Sequence, residues 1–280
     1  MKILITGKDS YIGTSFERWV EQYGDTYMID TIDVRGDSWK QQSFAGYDAI
    51  LHVAGIAHIK ETPENSQLYY KINRDLAVNL AVKAKQDGVK QFVFLSSMSV
   101  YGIEQGVITK GTPCNPKSSY GKAKLEAEQL IHKLQDVSFS VATLRPPMVY
   151  GKGCRGNYPR LAKLALKSPV FPNIKNERSM IHMDNLSEFI KVLIDDCAKG
   201  VFCPQNKEYV CTTEMVKLIA DTYGRKIKLT KVFNPILKLL KLNLITKVFG
   251  SLVYEKKLSE YQKEYCVYNL KKSISMTEGS

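Results

Sequence analysis

The sequence predicts an α/β fold built on a doubly wound parallel sheet, and three observations carry that expectation. Residues 2–6 form a short, apolar, β-branched run that ends at Gly7 and passes into a helical stretch over 14–22. Strand, glycine turn and helix, in that order, are the context a dinucleotide-binding turn requires. Beyond it, apolar runs of strand length alternate with stretches of helix length, the pattern of βαβ units. Third, Tyr120 and Lys124 stand four apart on one such helical stretch, 23 residues after Ser97 at the end of an apolar run.

The first turn reads Gly7-Lys8-Asp9-Ser10-Tyr11-Ile12-Gly13. Glycines there permit a tight turn and close packing, and a helix N-terminus offers free amides to a pyrophosphate. Ser10 stands where a middle glycine would allow the closest approach, and its hydroxyl offers an extra donor. Residues 47–54 read as a strand, 64–87 as mostly helix closed by Gly88, 91–96 as a strand, 119–135 as helix and 141–145 as a strand. Only 38 residues lie between Gly13 and His52. Two further strands with their helices barely fit, so one crossover is expected to be lost or reduced between Asp30 and Tyr47. An acidic residue ending the second strand would bond the ribose hydroxyls and select NAD. Asp30 and Asp33 both qualify, while Arg35 offers a cation to a 2′-phosphate. NAD is expected, and Arg35 leaves NADP open.

Tyr120 and Lys124 share a helix face. A free phenol titrates near ~10, too high for a proton shuttle at neutral pH. A nearby ammonium favours the phenolate and lowers that value. With a hydroxyl such as Ser97 on the reacting oxygen, the three form a proton relay for interconverting an alcohol and a ketone. The same spacing also arises on plain amphipathic helices, so the surrounding motifs decide between the two.

Composition sets limits. At 280 residues the chain holds one cofactor domain and a small second lobe, expected at 1–150 and 151–280, with about 184–197 packing back on the first. A hydrophobic content of 44% suits a soluble globular enzyme. None of the six cysteines forms a CxxC pair, so neither zinc nor a redox dithiol is indicated and no metal site is expected. Scattered thiols suit a reducing cytoplasm. No leader is expected ahead of Lys2, and no run approaches a membrane span. The net charge of +12 is concentrated late: residues 225–257 hold nine Lys/Arg against the single acid Glu255. No nucleic-acid motif accompanies that excess, so no nucleic-acid partner is expected. Within it, residues 235–249 interleave Lys238, Lys241 and Lys247 with leucines and isoleucines. Such a stretch either buries an apolar helix face in the small lobe with lysines at its edge, or rests weakly on an anionic membrane surface.

Seven motifs follow one another: TGKDSYIG (6–13), HVAG (52–55), YYKIN (69–73), FVFLSSMSVYG (92–102), SSYGKAKLEAE (118–128), LRPPMVYG (144–151) and RSMIHMDNL (178–186). In their order and spacing the chain resembles the extended short-chain dehydrogenase/reductase family of Rossmann enzymes, in its sugar-nucleotide epimerase/dehydratase branch. RPPMVYG followed by Gly156-Asn157, and the Arg178-Ser179 pair, carry a closer likeness to epimerases and 4-keto reductases of bacterial surface-polysaccharide sugars. The resemblance implies that Gly7, Ser10, Tyr11, Ile12 and Gly13 hold the dinucleotide, with Asp33 and Val34 at its adenosine end. Val53, Ala54 and Gly55 would line it through their backbone, and Asn73 would support the site from beneath. Tyr120 is then the acid/base, Lys124 holds the nicotinamide ribose, and Ser97 opens a serine motif that Tyr101 and Gly102 complete. Arg145 opens the segment under the nicotinamide, where Pro147 meets the carboxamide side. Asn157 and Arg178 would face the diphosphate of the substrate, a role that suits a guanidinium fork. His58 and His182 are expected to pack or cap. Met148 departs from the asparagine that well-known 4-epimerases carry there.

Family 4,6-dehydratases place an Asp-Glu pair directly after the catalytic Ser or Thr. Here Met98 and Ser99 occupy those positions, so dehydration is disfavoured. The resemblance therefore implies a cytoplasmic 4-epimerase acting on a UDP-hexose or UDP-N-acetylhexosamine through a transient 4-keto sugar. A 4-ketoreductase of a UDP-4-keto-6-deoxy-hexosamine would use the same relay. A non-catalytic cofactor-binding regulatory or scaffold protein would not need Ser97, Tyr120 and Lys124 intact. A homodimer is compatible with this reading.

Overall fold

A computed structural model describes residues 1–57, 59, 61–232, 234 and 248–279; His58 and most of the basic stretch, 235–247, lie outside them. Six parallel strands form the central sheet: β1 (Lys2–Thr6), β2 (Met28–Ile32), β3 (Ala49–His52), β4 (Gln91–Leu95), β6 (Ser140–Leu144) and β10 (Gly200–Phe202). Their order in space is β10-β6-β4-β3-β1-β2. The expected parallel sheet is therefore present. The trimmed crossover is also observed: β2 ends the sheet, and only a single 3-10 turn (Ser38–Gln41) intervenes before β3.

The central strands β1, β3, β4 and β6 are buried on both faces because helices cover both, whereas the edge strands β2 and β10 are partly exposed. Ile3 and Ile5 of β1 face one core with Leu51 and Val93, packed by α1 (Tyr11–Val20) and α6 (Met183–Asp195). Leu4, Ile50, Phe92 and Phe94 face the other, packed by α3 (Leu76–Gln86) and α4 (Ser119–His132). A short helix α2 (Ser66–Tyr70) and a π-helical turn (Lys71–Asp75) lead into α3. Trp39 and Phe44, in the shortened connection, fill the second core beside Ile32 and Val34. Burying side chains of that size contributes about 2–3 kcal/mol each, which lets the trimmed edge hold without a covering helix.

The rest of the chain forms three parallel strand pairs at the carboxyl side of the sheet and a third core. β5 (Gly106–Ile108) pairs with β12 (Leu252–Tyr254), β7 (Met148–Tyr150) with β9 (Met180–His182), and β8 (Val170–Pro172) with β11 (Lys228–Thr230). Helices α5 (Asn157–Lys167) and α7 (Thr212–Thr222) and the C-terminal helix Leu270–Glu278 enclose the third core around Tyr150, Tyr158 and Met215. The segment after β9 returns to the first core: α6 lies against α1, where Glu188 accepts hydrogen bonds from Trp19 and Tyr23.

Candidate active site

The strand order reverses at β1, whose neighbours are β2 and β3, and in doubly wound sheets ligands bind at the carboxyl ends of the strands at such a point. Gly7 sits there with φ +114°. A Cβ at Gly7 would lie 3.0 Å from the Ala54 amide nitrogen, so glycine is what lets the first turn meet the loop after β3. The backbone amides of Val53 and Ala54 both donate to the Thr6 carbonyl, at 3.2 and 3.0 Å. At Gly13 a Cβ would clash with Ile5 and Ser10, which sets how closely α1 approaches β1. Ser10 is the N-cap of α1, and its hydroxyl accepts from the Gly13 amide at 3.1 Å. The serine in the middle-glycine position thus already spends its oxygen on the helix, leaving its hydrogen to donate. Tyr11 and Ile12 begin α1; the Tyr11 hydroxyl is buried without a hydrogen-bond partner, beside Gly151.

Asp33 follows β2 directly and is exposed, held by Arg35 through a forked contact at 2.6–2.9 Å. That contact holds the Asp33 carboxyl down at about 2. Asp30 is a correction to the alternative reading: it lies mid-strand, accepts from Tyr47 at 2.7 Å and pairs with Lys2, so it is not at the carboxyl end where a ribose would lie. Val34 turns its side chain into the second core.

The loop after β3 is stapled by Asn73, fully buried in the π-helical turn. Its side chain accepts from the Ile56 amide and donates to the Ile56 carbonyl, both at 3.0 Å. A Cβ on Gly55 would fall 2.7 Å from the same Asn73 oxygen. The extra residue of a π-turn re-aims a side chain without ending the helix, and here it aims Asn73 at the loop.

Ser118 caps α4 by accepting from Gly121 at 3.1 Å, which fixes Tyr120 in the first turn. Gly121 has no room for a Cβ against Ser99 O and Pro116, so that turn lies directly on the loop after Ser97. Ser97 caps that loop through the Ser99 amide at 3.1 Å. Lys124, one turn after Tyr120, is 4% exposed and donates to the Leu95 carbonyl at 2.7 Å. Its ammonium lies 4.7 Å from the Phe94 ring centre. Burial lowers Lys124 to about 8, and the Glu128 carboxylate opposes the fall.

The phenol behaves differently from the sequence expectation. Burial pushes Tyr120 above its ordinary value, a hydrogen bond from Ser97 offsets part of the rise, and Tyr69 adds to it. In the free protein Lys124 donates to the Leu95 carbonyl, and desolvation dominates the phenol.

The family model described as "NAD dependent epimerase/dehydratase family" matches residues 3–211. A UDP-glucose 4-epimerase of Vibrio cholerae is 32% identical over 230 residues, covering 77% of this chain and 69% of that one. The chain belongs to the NAD-dependent epimerase/dehydratase family. The likeness named from the seven motifs is therefore borne out, and with it the nicotinamide-dependent enzyme class. Among solved structures, UDP-glucuronic acid 4-epimerase from Bacillus cereus, in complex with NAD, superposes with a TM-score of 0.76 at 17% identity, covering 99% of this chain and 97% of that one. RMD from Pseudomonas aeruginosa, complexed with NADPH, gives 0.77 at 17% identity, covering 99% and 98%. At such identity these two establish the shared fold. The glycine-permitted approach of Gly7 to Ala54, the α1 N-terminus that follows that turn and the unpartnered Tyr11 hydroxyl fit a dinucleotide of this family.

The remaining predicted positions are dispersed around this epimerase/dehydratase core. Pro147 follows β6, next to Pro146, whose carbonyl accepts from Met98 in the serine loop at 3.0 Å. Asn157 is exposed as the first residue of α5. Arg178 is half-buried; its guanidinium donates to the Gly250 carbonyl at 2.9 Å and has no carboxylate partner among the described residues. His182 is the N-cap of α6, accepting from the Asp184 amide, and burial lowers it to about 4, as a capping residue requires.

Arg145 proves to be an ion-pair residue. It forks onto Glu128, with the shortest contact at 2.5 Å and both side chains nearly buried. Glu128 closes the SSYGKAKLEAE motif but receives no role in the sequence reading. Its signal was available in its position four residues beyond Lys124, on the same helix face.

Proposed function

We propose that this protein interconverts the C4 alcohol and C4 ketone of a UDP-linked hexose or N-acetylhexosamine, as a 4-epimerase. The observation that carries the reading is the convergence of Ser97, Tyr120 and Lys124 at the carboxyl end of β4, beside the glycine turn. A bound nicotinamide would supply reversible hydride transfer. Tyr120 takes the proton of the C4 hydroxyl through its phenolic oxygen and returns it to the ketone oxygen. Ser97 donates a hydrogen bond to that same sugar oxygen, and Lys124 holds the nicotinamide ribose while its charge favours the phenolate once the dinucleotide excludes water. Gly7, Ser10, Tyr11, Ile12 and Gly13 take the pyrophosphate, and Asp33 with Val34 lies at the adenosine end. Val53, Ala54, Gly55, Asn73 and Pro147 shape the remaining cofactor wall.

The guanidinium of Arg178, which has no carboxylate partner among the described residues, supports a diphosphate contact, with exposed Asn157 at the start of α5 as its companion. Met98 and Ser99 lack titratable groups, which argues against a dehydratase. A second reading, reduction of a UDP-4-keto-6-deoxy-hexosamine, is favoured by one observation: exposed Arg35 beside Asp33 offers a cation to the 2′-phosphate of NADP. The reading places the enzyme in the cytoplasm; among the described residues no helix is long and apolar enough to cross a membrane.

Incubation of purified protein with UDP-sugars, with and without reduced cofactor, followed by NMR, tests the reading. C4 inversion without added reductant supports the epimerase. Consumption of NADPH with a 4-keto sugar supports the reductase. Water loss to a 4-keto-6-deoxy product would overturn both.

A further inference from the structure

Three chain segments bring the relay together: the end of β4 with Ser97, helix α4 with Tyr120 and Lys124, and the end of β6 with Pro147. One buried carboxylate touches two of them and sits on the third. Glu128 is 2% exposed on α4. It accepts from the hydroxyl of Ser96, the residue before Ser97. It also accepts from Arg145, at 3.1 Å from Nε to both of its oxygens and 2.5 Å from Nη2. The other arm of the Arg145 fork donates to the Tyr101 hydroxyl at 2.9 Å, which closes the far end of the serine loop. The Arg145 backbone is fixed in turn, since its carbonyl accepts from Tyr254 at 2.7 Å.

We propose that Glu128 is a positioning residue of the relay: it locks the β4 end, the β6 end and α4 in one register, and its charge keeps Lys124 an ammonium in a buried site. This deepens the catalytic reading above and rests on it. Two cations, Arg145 and Lys124, share the single carboxylate. Lys124 makes no direct ion pair with it and donates to the Leu95 carbonyl; the two interact through space across one helical turn. The other titratable groups facing this cluster carry no charge near neutrality. His52 on β3 is lowered to about 3 by burial, and Lys124 adds to that. His132, one turn further along α4, is also lowered by burial. Tyr101, Cys114 and Cys203 are all raised by burial. Glu128 is thus the only countercharge for Lys124 in this wall among the described residues. Without it, desolvation would favour the neutral amine unopposed, and the phenol would lose the cation that its ionisation needs.

The test reads Lys124 directly, with no substrate required. In NAD-bound protein carrying ¹³C-labelled lysine, the Cε resonance of Lys124 is assigned by its absence in Lys124→Arg and followed with pH. Glu128→Gln is expected to move its titration down by about one unit or more, while Arg145→Met moves it up, because a neighbouring like charge is gone. Glu128→Gln/Arg145→Met removes both charges, keeps the packing and is expected to titrate between the two single variants. A purely structural role predicts shifts in the same direction, or none, for both single variants, and either result overturns the proposal. If Glu128→Gln does not fold, the double variant decides: a titration at or above that of Arg145→Met overturns the proposal, and one clearly below it supports it. Failure of the catalytic reading would look different, as a wild-type protein inactive on every UDP-sugar whose Lys124 still responds to these variants.

Discussion

Replacing Lys124 with methionine is expected to leave the fold about as stable as wild type, or more so, while abolishing turnover. Lys124 falls from an ordinary 10.5 to about 8 on folding, because its ammonium is buried. A fall of that size corresponds to roughly 3 kcal/mol of folding free energy lost to keeping the charge inside. Methionine has a similar shape and no charge, so the variant escapes that cost. It also loses the bond to the Leu95 carbonyl, which opposes the gain by about 1–3 kcal/mol. The pH dependence separates the two terms. Between about 8 and 10.5 the unfolded chain holds the lysine proton and the folded chain does not, so wild-type stability rises with pH across that window. Below 8 both states are protonated and the full cost is present. The hydrogen-bond term has no such dependence. Urea unfolding of cofactor-free wild type and Lys124→Met at pH 7, 8, 9 and 10 should therefore show a difference, variant minus wild type, that is largest at pH 7 and shrinks steadily above pH 8. A difference that stays constant from pH 7 to 10, or grows, would show that Lys124 is not a desolvated ammonium in the free protein.

Three further outcomes are expected. Tyr120→Phe should lower turnover by ~10²–10⁴ or more while NAD binding, followed by fluorescence quenching, stays within a few-fold of wild type; near-normal turnover would remove the phenol from the mechanism. Arg178→Ala should weaken UDP binding in calorimetry by about tenfold or more, since a charge-assisted forked contact is lost; equal affinity would dismiss the diphosphate role. Co-sedimentation with anionic vesicles should be detectable at low salt and vanish at high salt if residues 235–249 meet a membrane surface; no binding at low salt would assign that stretch to internal packing.

What was legible in the sequence is what local pattern controls. Residues 2–13 announce strand, glycine and helix because each step is decided within a few residues, and the sheet expected from that alternation is the one observed. Tyr120 and Lys124 were legible for the same reason, as helix periodicity alone places them on one face. Three kinds of feature were not. The paired strands β5 and β12 are three residues each and join positions 106–108 to 252–254, and no local signal announces a partner so distant. The raised phenol of Tyr120 depends on how much water the surrounding loops exclude, which charge spacing does not report. The Glu128–Arg145 pair links two motifs that read as independent, although each residue was visible in its own.

On the proposed reading, the shortened connection after β2 has its consequence at the cofactor's adenosine end. With the sheet stopping at β2, no further strand or helix shields the residues that follow it, and Asp33 and Arg35 face solvent with their charges spent on each other. A buried, unpaired Asp33 would repel a 2′-phosphate and commit the site to NAD. An exposed ion pair contributes little and opens easily. A ribose hydroxyl can then take Asp33 while Arg35 swings into water, and a 2′-phosphate can take Arg35 while Asp33 turns away. The trimmed edge thus removes the environment that would enforce a choice, because Trp39 and Phe44 rebuild the core beneath it without covering the charges above. On the proposed reading, cofactor preference rests on these two solvated side chains, and substitution at Arg35 should change it without disturbing the fold.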